Sequence, residues 1–438
     1  MTFNRFFVWV LACAASLGAA TPSFFDSLTA RLETQGFEHL LVRQRSDSTV
    51  IVHYENRIYR NEFYAAGVVV ALAHDLVPDS GGLVLVPSRR ALPMCELVVD
   101  LPAYRRWVVN SEGEPPAHLV RVRDVSESLP LWGLEMKRPG TGKIDLMIAP
   151  SFSVYLGNYD DRFKAFFQLM PVVSTSLWRG AALYVEGAIP IHNDVNYQYY
   201  RFKEYAQLSK AAVNQMLRLP GNVLASVSYG VFNPNRWGIG AEVTKLLFQR
   251  RLAIGYSIEH TGFLLYYDNV WNYSKWNLTT SQLYAIYYCD ALNSQFGISH
   301  NRYVMQDSGW MFEFSRNFHE SSVGAFVGST EFDKYGGLMI KFPLSRKKRP
   351  APKVLRVGLP RYYEYSYRAT NVVYTQHSPI QTGISVYTGN RLSYLYRNLT
   401  PNYVKHNFDV WRRALATTTQ DTHPRDHVES LWQYWFEK

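Results

Sequence analysis

The sequence predicts a mostly β protein: an antiparallel transmembrane β-barrel of about 12–14 strands behind a small N-terminal α+β domain. Three observations carry that expectation. Apolar and polar residues alternate through Asn222–Glu259. No apolar run of about 18 residues follows the N-terminal segment, so spanning helices are not expected. Aromatic residues make up 15% of the 438 positions, enough to furnish girdles at two membrane interfaces.

The alternation is cleanest in three successive runs. Val223, Ala225, Val227, Tyr229 and Val231 share one face, as do Trp237, Ile239, Ala241 and Val243, and then Leu252, Ile254, Tyr256 and Ile258. Asn, Ser, Gly, Thr and Glu, with Ala253, occupy the other faces. A period of two places one face in an apolar medium and the other in a polar one. Asn233–Arg236 and Phe248–Arg251 are turn-forming breaks, so the runs form an antiparallel meander. Alternation alone leaves the apolar medium open: lipid around a barrel, or the second sheet of a soluble sandwich.

From the N-terminus, Arg5, the apolar Phe6–Leu17 and the small residues Gly18-Ala19-Ala20 read as a secretory signal over residues 1–20. Val10-Leu11-Ala12-Cys13 loosely matches a lipoprotein box, which makes Cys13 a possible lipidation site. An α+β domain over residues 21–135 follows. Thr21-Pro22 starts a helix that Gly36 ends, and Phe37–Arg43 and Thr49–Tyr54 are strands. A second helix runs from Asn61 to about Leu76, and Leu83–Pro87 and Glu96–Asp100 are another strand pair. This domain is expected to be water-soluble and periplasmic.

The join lies within Ser111–Gly142, and the barrel is expected over residues 143–390. Its runs are Ile144–Leu156, Lys164–Ser176, Ala181–Ile189, Ala211–Leu219, the meander, Tyr273–Cys289, Gln295–Tyr303, Trp310–Arg316, Val323–Thr330 and Leu338–Phe342. Arg361–Tyr374 and Gly383–Thr388 add two more, and Tyr197–Tyr205 is a long loop on one rim. Several runs reach the ~9–11 residues that a tilted spanning strand needs. Residues 391–438 form a partly helical tail with Val410, Trp411 and Leu415 on one stripe.

The net charge of +10 favours anionic partners of any kind. No nucleic-acid motif accompanies it, and the run Arg346–Arg349 reads as a solvated loop. Three cysteines provide no disulfide framework, and Cys95 and Cys289 are expected to be buried and unpaired.

Several stretches resemble one family. Glu55–Glu62, with Asn56, Tyr59 and Arg60, is similar to an N-x-x-Y-R stretch ahead of a helix in the YjbH-type outer-membrane proteins of exopolysaccharide and group 4 capsule loci. Ala149-Pro150 before Leu156, and Ile189-Pro190-Ile191, resemble that family's early barrel strands. Arg302-Tyr303 with Asp307-Ser308-Gly309, then Phe314–Phe318 with Val323–Phe326, resemble its G-R-Y-L-A-G-D-x-G and S-R-x-F-x-x-G-x-x-x-G-A-F motifs. Phe332-Asp333-Lys334 and Phe342-Pro343-Leu344 are similar to F-D-K-G and I-P-L. Asn301 stands where the family usually has Gly, and Tyr335 interrupts Asp-Lys-Gly. The likeness runs from about Glu55 to Leu344. It implies an outer-membrane protein of a Gram-negative bacterium that assists secretion or surface assembly of a polysaccharide, with other envelope export components as partners.

Candidate lumen-lining residues are Glu186, Glu242, Glu259, Glu313, Lys245 and Lys341, which either contact a passing glycan or stabilise a packed polar interior. The basic charge favours an acidic polysaccharide by long-range attraction. Asp160-Asp161 read as a turn, because adjacent acids on a strand point to opposite faces. No metal-ligand spacing, nucleophile elbow or phosphate loop is present, so neither enzyme activity nor a cofactor is expected. The competing expectation is a soluble secreted β-rich carbohydrate-binding or structural protein.

Overall fold

The computed structural model describes residues 24–421, apart from 46, 79–80, 112, 114–115, 117, 126–135, 137–138, 157–162, 195–204, 233–234, 268–269, 305, 333, 371–391 and 393–397. The signal segment with Cys13, the Asp160-Asp161 pair, most of the Tyr197–Tyr205 loop and the Gly383–Thr388 run lie outside these residues. No helix among the described residues is long and apolar enough to cross a membrane.

The N-terminal domain follows the expected order. Helix α1 (Phe24–Gln35) stops where Gly36 takes a φ of 96°, a left-handed conformation that glycine adopts without a Cβ penalty. Strands β1 (Glu38–Gln44) and β2 (Val50–Glu55) pair antiparallel. Helix α2 (Glu62–Ala73) is capped by Asn61, whose Oδ1 accepts from the N–H groups of Phe63 and Tyr64 at 2.8 and 3.1 Å. Helix α2 is apolar nearly all round, and such a helix must be covered on more than one side. The sheet covers one flank. Strand β3 (Leu83–Arg89) pairs parallel with β2 across the helix, and β4 (Leu92–Pro93), β5 (Glu96–Val99) and β6 (Val120–Arg123) complete the order β1-β2-β3-β5-β6, with β4 on β3. The short helix α3 (Leu101–Tyr104), the π turn Arg105–Val109 and β6 are additions to the expected pattern.

The other flank of α2 is covered by the far end of the chain. Helices α4 (Pro401–His406) and α5 (Asp409–Asp421) share one hydrophobic cluster with the N-terminal domain. Trp411 is fully buried, 5.1 Å from the Phe63 ring and 5.9 Å from that of Tyr104, and its Nε1 donates to the Phe63 carbonyl at 2.9 Å. Gly67 makes room: a Cβ there would stand 2.6 Å from Trp411 Cδ1. The stripe expected in the tail is thus a missing wall of the first domain.

The second sheet has fifteen strands. Its long members are β7 (Ile144–Leu156), β8 (Phe163–Ser176), β9 (Ala181–Asn193), β10 (Gln207–Leu219), β11 (Val223–Phe232), β12 (Arg236–Leu247) and β13 (Leu252–Tyr267). After the short β14 (Val270–Tyr273) come β15 (Leu278–Cys289), β16 (Ser294–Arg302), β17 (Ser308–Phe318), β18 (Ser321–Thr330) and β19 (Lys334–Pro343). The last two are β20 (Leu355–Gly358) and β21 (Tyr362–Thr370). From β7 to β14 and from β15 to β19 neighbours in sequence pair antiparallel, and the meander has Tyr229 opposite Ile239 and Val243 opposite Tyr256.

Two strand assignments are corrected. The single run expected over Tyr273–Cys289 is two strands, because β14 folds back onto β13 before β15 begins. Both run antiparallel to β13 in the same direction, and Gly262 leaves room for the bulge between them, since a Cβ there would meet the Ser274 carbonyl at 2.6 Å. Strand β20 was not expected; it pairs parallel with β7, Leu355 opposite Ile144.

The ends of the strand order meet. Strand β20 lies on β7, and Leu359–Arg361 carry the chain from it into β21, which pairs with β19. The rings of Phe152 on β7 and Tyr365 on β21 are 6.4 Å apart. The sheet is therefore curled round on itself, although β7 and β21 do not pair and the ladder is not closed. One rim carries tight turns, such as Pro220–Asn222 and His319-Glu320, together with the connection 344–361; the other carries links of mixed length, of which 194–206 is long. The N-terminal domain sits on the tight-turn rim.

Two outcomes follow from this packing. Replacing Trp411 with Ala should cost the first domain about 3–5 kcal/mol, read as a lower denaturant midpoint for that domain. His53, buried in β2, is the second case. Burial, with Arg43 and Arg179 nearby, lowers its pKa from 6.5 to about 4. Since the folded value lies below the unfolded one, the neutral form is favoured by folding, and stability held above about pH 6.5 falls as pH drops towards 4. The slope is about 1.4 kcal/mol per pH unit. Denaturant midpoints at pH 7.5 and 4.5 should differ less in His53→Gln than in the parent.

Candidate functional site: the concave face and its floor

The outward residues of the long strands are apolar and uncovered. Tyr229 is 56% exposed, Val243 46%, Tyr256 46% and Phe312 51%, and no second sheet lies over them among the described residues. An apolar surface that wraps a whole sheet far exceeds the few hundred Å² of ordinary exposed patches.

The concave face is polar, and its side chains reach across strands. Tyr284 on β15 passes over β13 at Gly255, where a Cβ would lie 2.2 Å from the ring. Its hydroxyl donates to Glu242 Oε1 on β12 at 2.7 Å and lies 2.5 Å from Thr244 Oγ1. Glu186 on β9 is buried, accepts from Ser209 Oγ at 2.9 Å and is 3.3 Å from Lys210 Nζ. Glu259 accepts from Thr280 Oγ1 at 2.8 Å. Glu313 lies over Gly297, and Lys341 Nζ sits 4.8 Å from the centre of the Tyr362 ring. These five candidates lie on the concave face.

Lys245 does not. It is exposed on the outer face beside Val243, opposite Val223 and Ile254. Three residues separate it from Glu242, an odd number, so the two point to opposite faces. Its place near the tight-turn rim lets a long stem lie along apolar surface with the charge at the edge.

Tyr335, the residue that interrupts the family pattern, has a structural role. Its ring covers Gly328, its hydroxyl lies 2.7 Å from that of Tyr303, and the Arg368 guanidinium stacks on it at 3.7 Å. Asn301 donates to the Tyr303 hydroxyl at 3.1 Å.

The N-terminal domain forms a floor under the concave space. Leu92 and Met94, at the tip beyond β3, pack with Met216, Leu224, Leu246, Ala253 and Tyr288 of the sheet and with Leu392. Arginines fasten the floor around the rim. Arg57 reaches Asp145 at 2.8 Å, Arg60 reaches Glu320 at 2.6 Å, and Arg90 donates to Asn214 Oδ1 at 2.6 Å. From the sheet, Arg218 donates to the Pro93 carbonyl at 3.0 Å, Arg250 to the Met94 carbonyl at 3.2 Å, and Arg361 to Glu62. The stretch Glu55–Glu62, singled out for its family resemblance, is thus a docking strip. Sequence reasoning missed the role of these arginines; Arg residues inside otherwise apolar segments were the available signal.

The basic run Arg346–Arg349 is only partly a solvated loop. Arg346, Lys347 and Lys348 are exposed, but the Arg349 backbone donates to Ile58 O and its side chain turns inward against the docking strip. Cys95 is buried, which raises its thiol pKa to about 11 and leaves it inert, while Cys289 is half-buried rather than buried; both are free.

A family model described as exopolysaccharide biosynthesis protein YbjH matches residues 18–345. Comparison with curated proteins finds no match. Among solved structures, the chain is similar to a loop L8 deletion mutant of OmpT, an outer membrane protein of Vibrio cholerae. That similarity has 8% identity and a TM-score of 0.29, over 52% of this chain and 94% of the other.

The Glu186–Lys210 pair makes a direct test of the concave network. Glu186→Gln or Lys210→Met alone should cost about 3–5 kcal/mol by stranding a buried charge, and the double variant should recover much of the loss. Unfolding in detergent across the four proteins gives the coupling.

Proposed function

The chain belongs to the YjbH family of exopolysaccharide biosynthesis proteins, and from that premise we propose that it is an outer-membrane β-barrel that assists secretion or surface assembly of an exopolysaccharide or capsule. The observation that carries this reading is the uncovered apolar outer face set against a polar concave one. Lipid is the medium that suits the first, and water or a glycan suits the second. Thirteen strands of nine to sixteen residues match a spanning requirement of about 9–11. The tight hairpin turns of the rim where the N-terminal domain docks suit the periplasmic end of such barrels, and the long hairpin connection 194–206 lies on the other rim. On that orientation the N-terminal domain is periplasmic, where it meets the other export components of a Gram-negative envelope. The protein acts without catalysis: it guides or holds polymer and does not modify it.

A soluble secreted protein would have to leave this apolar circumference in water, which the physics disfavours. Fractionation with gel electrophoresis of heated and unheated samples is the test. We expect the protein in the outer-membrane fraction, with a heat-shifted band, and loss of surface polysaccharide in a deletion strain. A monomer stable in plain buffer would overturn the reading.

A further inference from the structure

We propose that the cavity between the docking strip and the neighbouring ends of β7, β8, β9 and β21 binds the acid group of an acidic sugar residue. This deepens the reading above and rests on it for the polymer.

The cavity has a volume of about 190 Å³. That is below the ~300–1,000 Å³ of pockets for drug-sized ligands and suits a single sugar unit or a small anion. Seven arginines and four carboxylates line it. Adding Glu38 and Glu320, which bind Arg57 and Arg60 from behind the wall, still leaves positive charge in excess. Three of these acids already have partners within the wall, Glu62 being paired with Arg361. Glu55 is held by the backbone N–H groups of Arg90 and Ala91, both at 3.0 Å, while Asp145 is shared between Arg57 and Arg356.

Arg349 is the centre of the argument. Its Nη2 donates to a neutral acceptor, the Arg57 carbonyl, at 2.8 Å, and its buried Nε has no hydrogen-bond partner among the described residues. Burial, then the neighbouring Arg361 and Arg356, pushes its pKa well down, with Asp145 only partly opposing. A guanidinium crowded by its own kind and left with a spare donor is relieved by an oxyanion. The rest of the wall favours a sugar over a bare ion: Ser88, Ser174 and Asn398 bring hydroxyl and amide groups, and Tyr184 and Tyr362 bring rings that Arg90 and Lys341 cover on one side. Of these, Ser88 and Asn398 already donate to the Tyr54 carbonyl and the Tyr362 hydroxyl and keep acceptor oxygens.

The test uses the full-length protein in detergent, titrated with an oligosaccharide of glucuronic acid, a neutral glucose oligosaccharide of equal length, and inorganic phosphate. The acidic oligosaccharide should bind at least about tenfold more tightly than the neutral one, and more weakly as salt rises. Arg349→Gln should lose about tenfold, and Arg349→Lys less, with the heat-shifted band retained in both. Equal affinity for the neutral sugar, unchanged binding by Arg349→Gln, or phosphate binding as tightly as the acidic oligosaccharide would each overturn the assignment. If Arg349→Gln does not fold, the lysine variant and the acid-to-neutral ratio still decide. Failure here with correct fractionation sinks only the cavity assignment, whereas a soluble monomer sinks the export reading whatever it binds.

Discussion

The constraint behind the whole structure is that a long alternating strand needs two media at once. At roughly 25 cal/mol per Å², the outward Val, Ile, Tyr and Phe side chains of thirteen strands represent a large cost if they stay in water. A sandwich meets that cost with a second sheet, and among the described residues none covers this outer face. Its sheet curls instead, so the polar sides face one another and the apolar sides all face out. Curling is what brings Tyr284 within reach of Glu242 across an intervening strand, and what sets Phe152 beside Tyr365.

A curled polar face has its own problem, since buried charges and hydroxyls are costly without partners. Glycines help to solve it. Gly255, Gly328 and Gly297 leave space over the neighbouring strand, and Tyr284, Tyr335 and Glu313 occupy it. The same small residues that make the inward face look polar and featureless in sequence are therefore seats for specific side chains.

How far the sequence revealed this depended on how local each signal was. Helix ends were legible because Asn61 and Gly36 act on their own neighbours, and the meander was legible because alternation is read two residues at a time. The docking arginines were not legible, because Arg57 meets Asp145 and Arg60 meets Glu320 across long stretches of chain. Trp411 belongs to the same class: its stripe was visible, but nothing in the sequence joins it to Gly67. Lys245 is a different kind of error, since counting from Glu242 places it outward without any structure. The break after Tyr273 was hidden because an aromatic, β-favouring segment continues in the same direction through a bulge that lies over Gly262.

The floor joins these threads. The tip Leu92–Met94 enters the end of the concave space, and Leu392 meets it there from the last part of the chain. Residues before the sheet and residues after it thus close the same end, through one hydrophobic cluster and a ring of arginine contacts. Ion pairs at such a seam contribute little net stability against well-packed apolar alternatives, but truncating one partner is costly. Their value is orientation: charged forks at Arg57, Arg60, Arg90 and Arg361 fix the domain to one rotation about the rim, which apolar contact alone would not do. A domain held in one rotation keeps the Arg57 carbonyl against the Arg349 guanidinium, at 2.8 Å, so the docking strip and the segment after β19 hold each other in register.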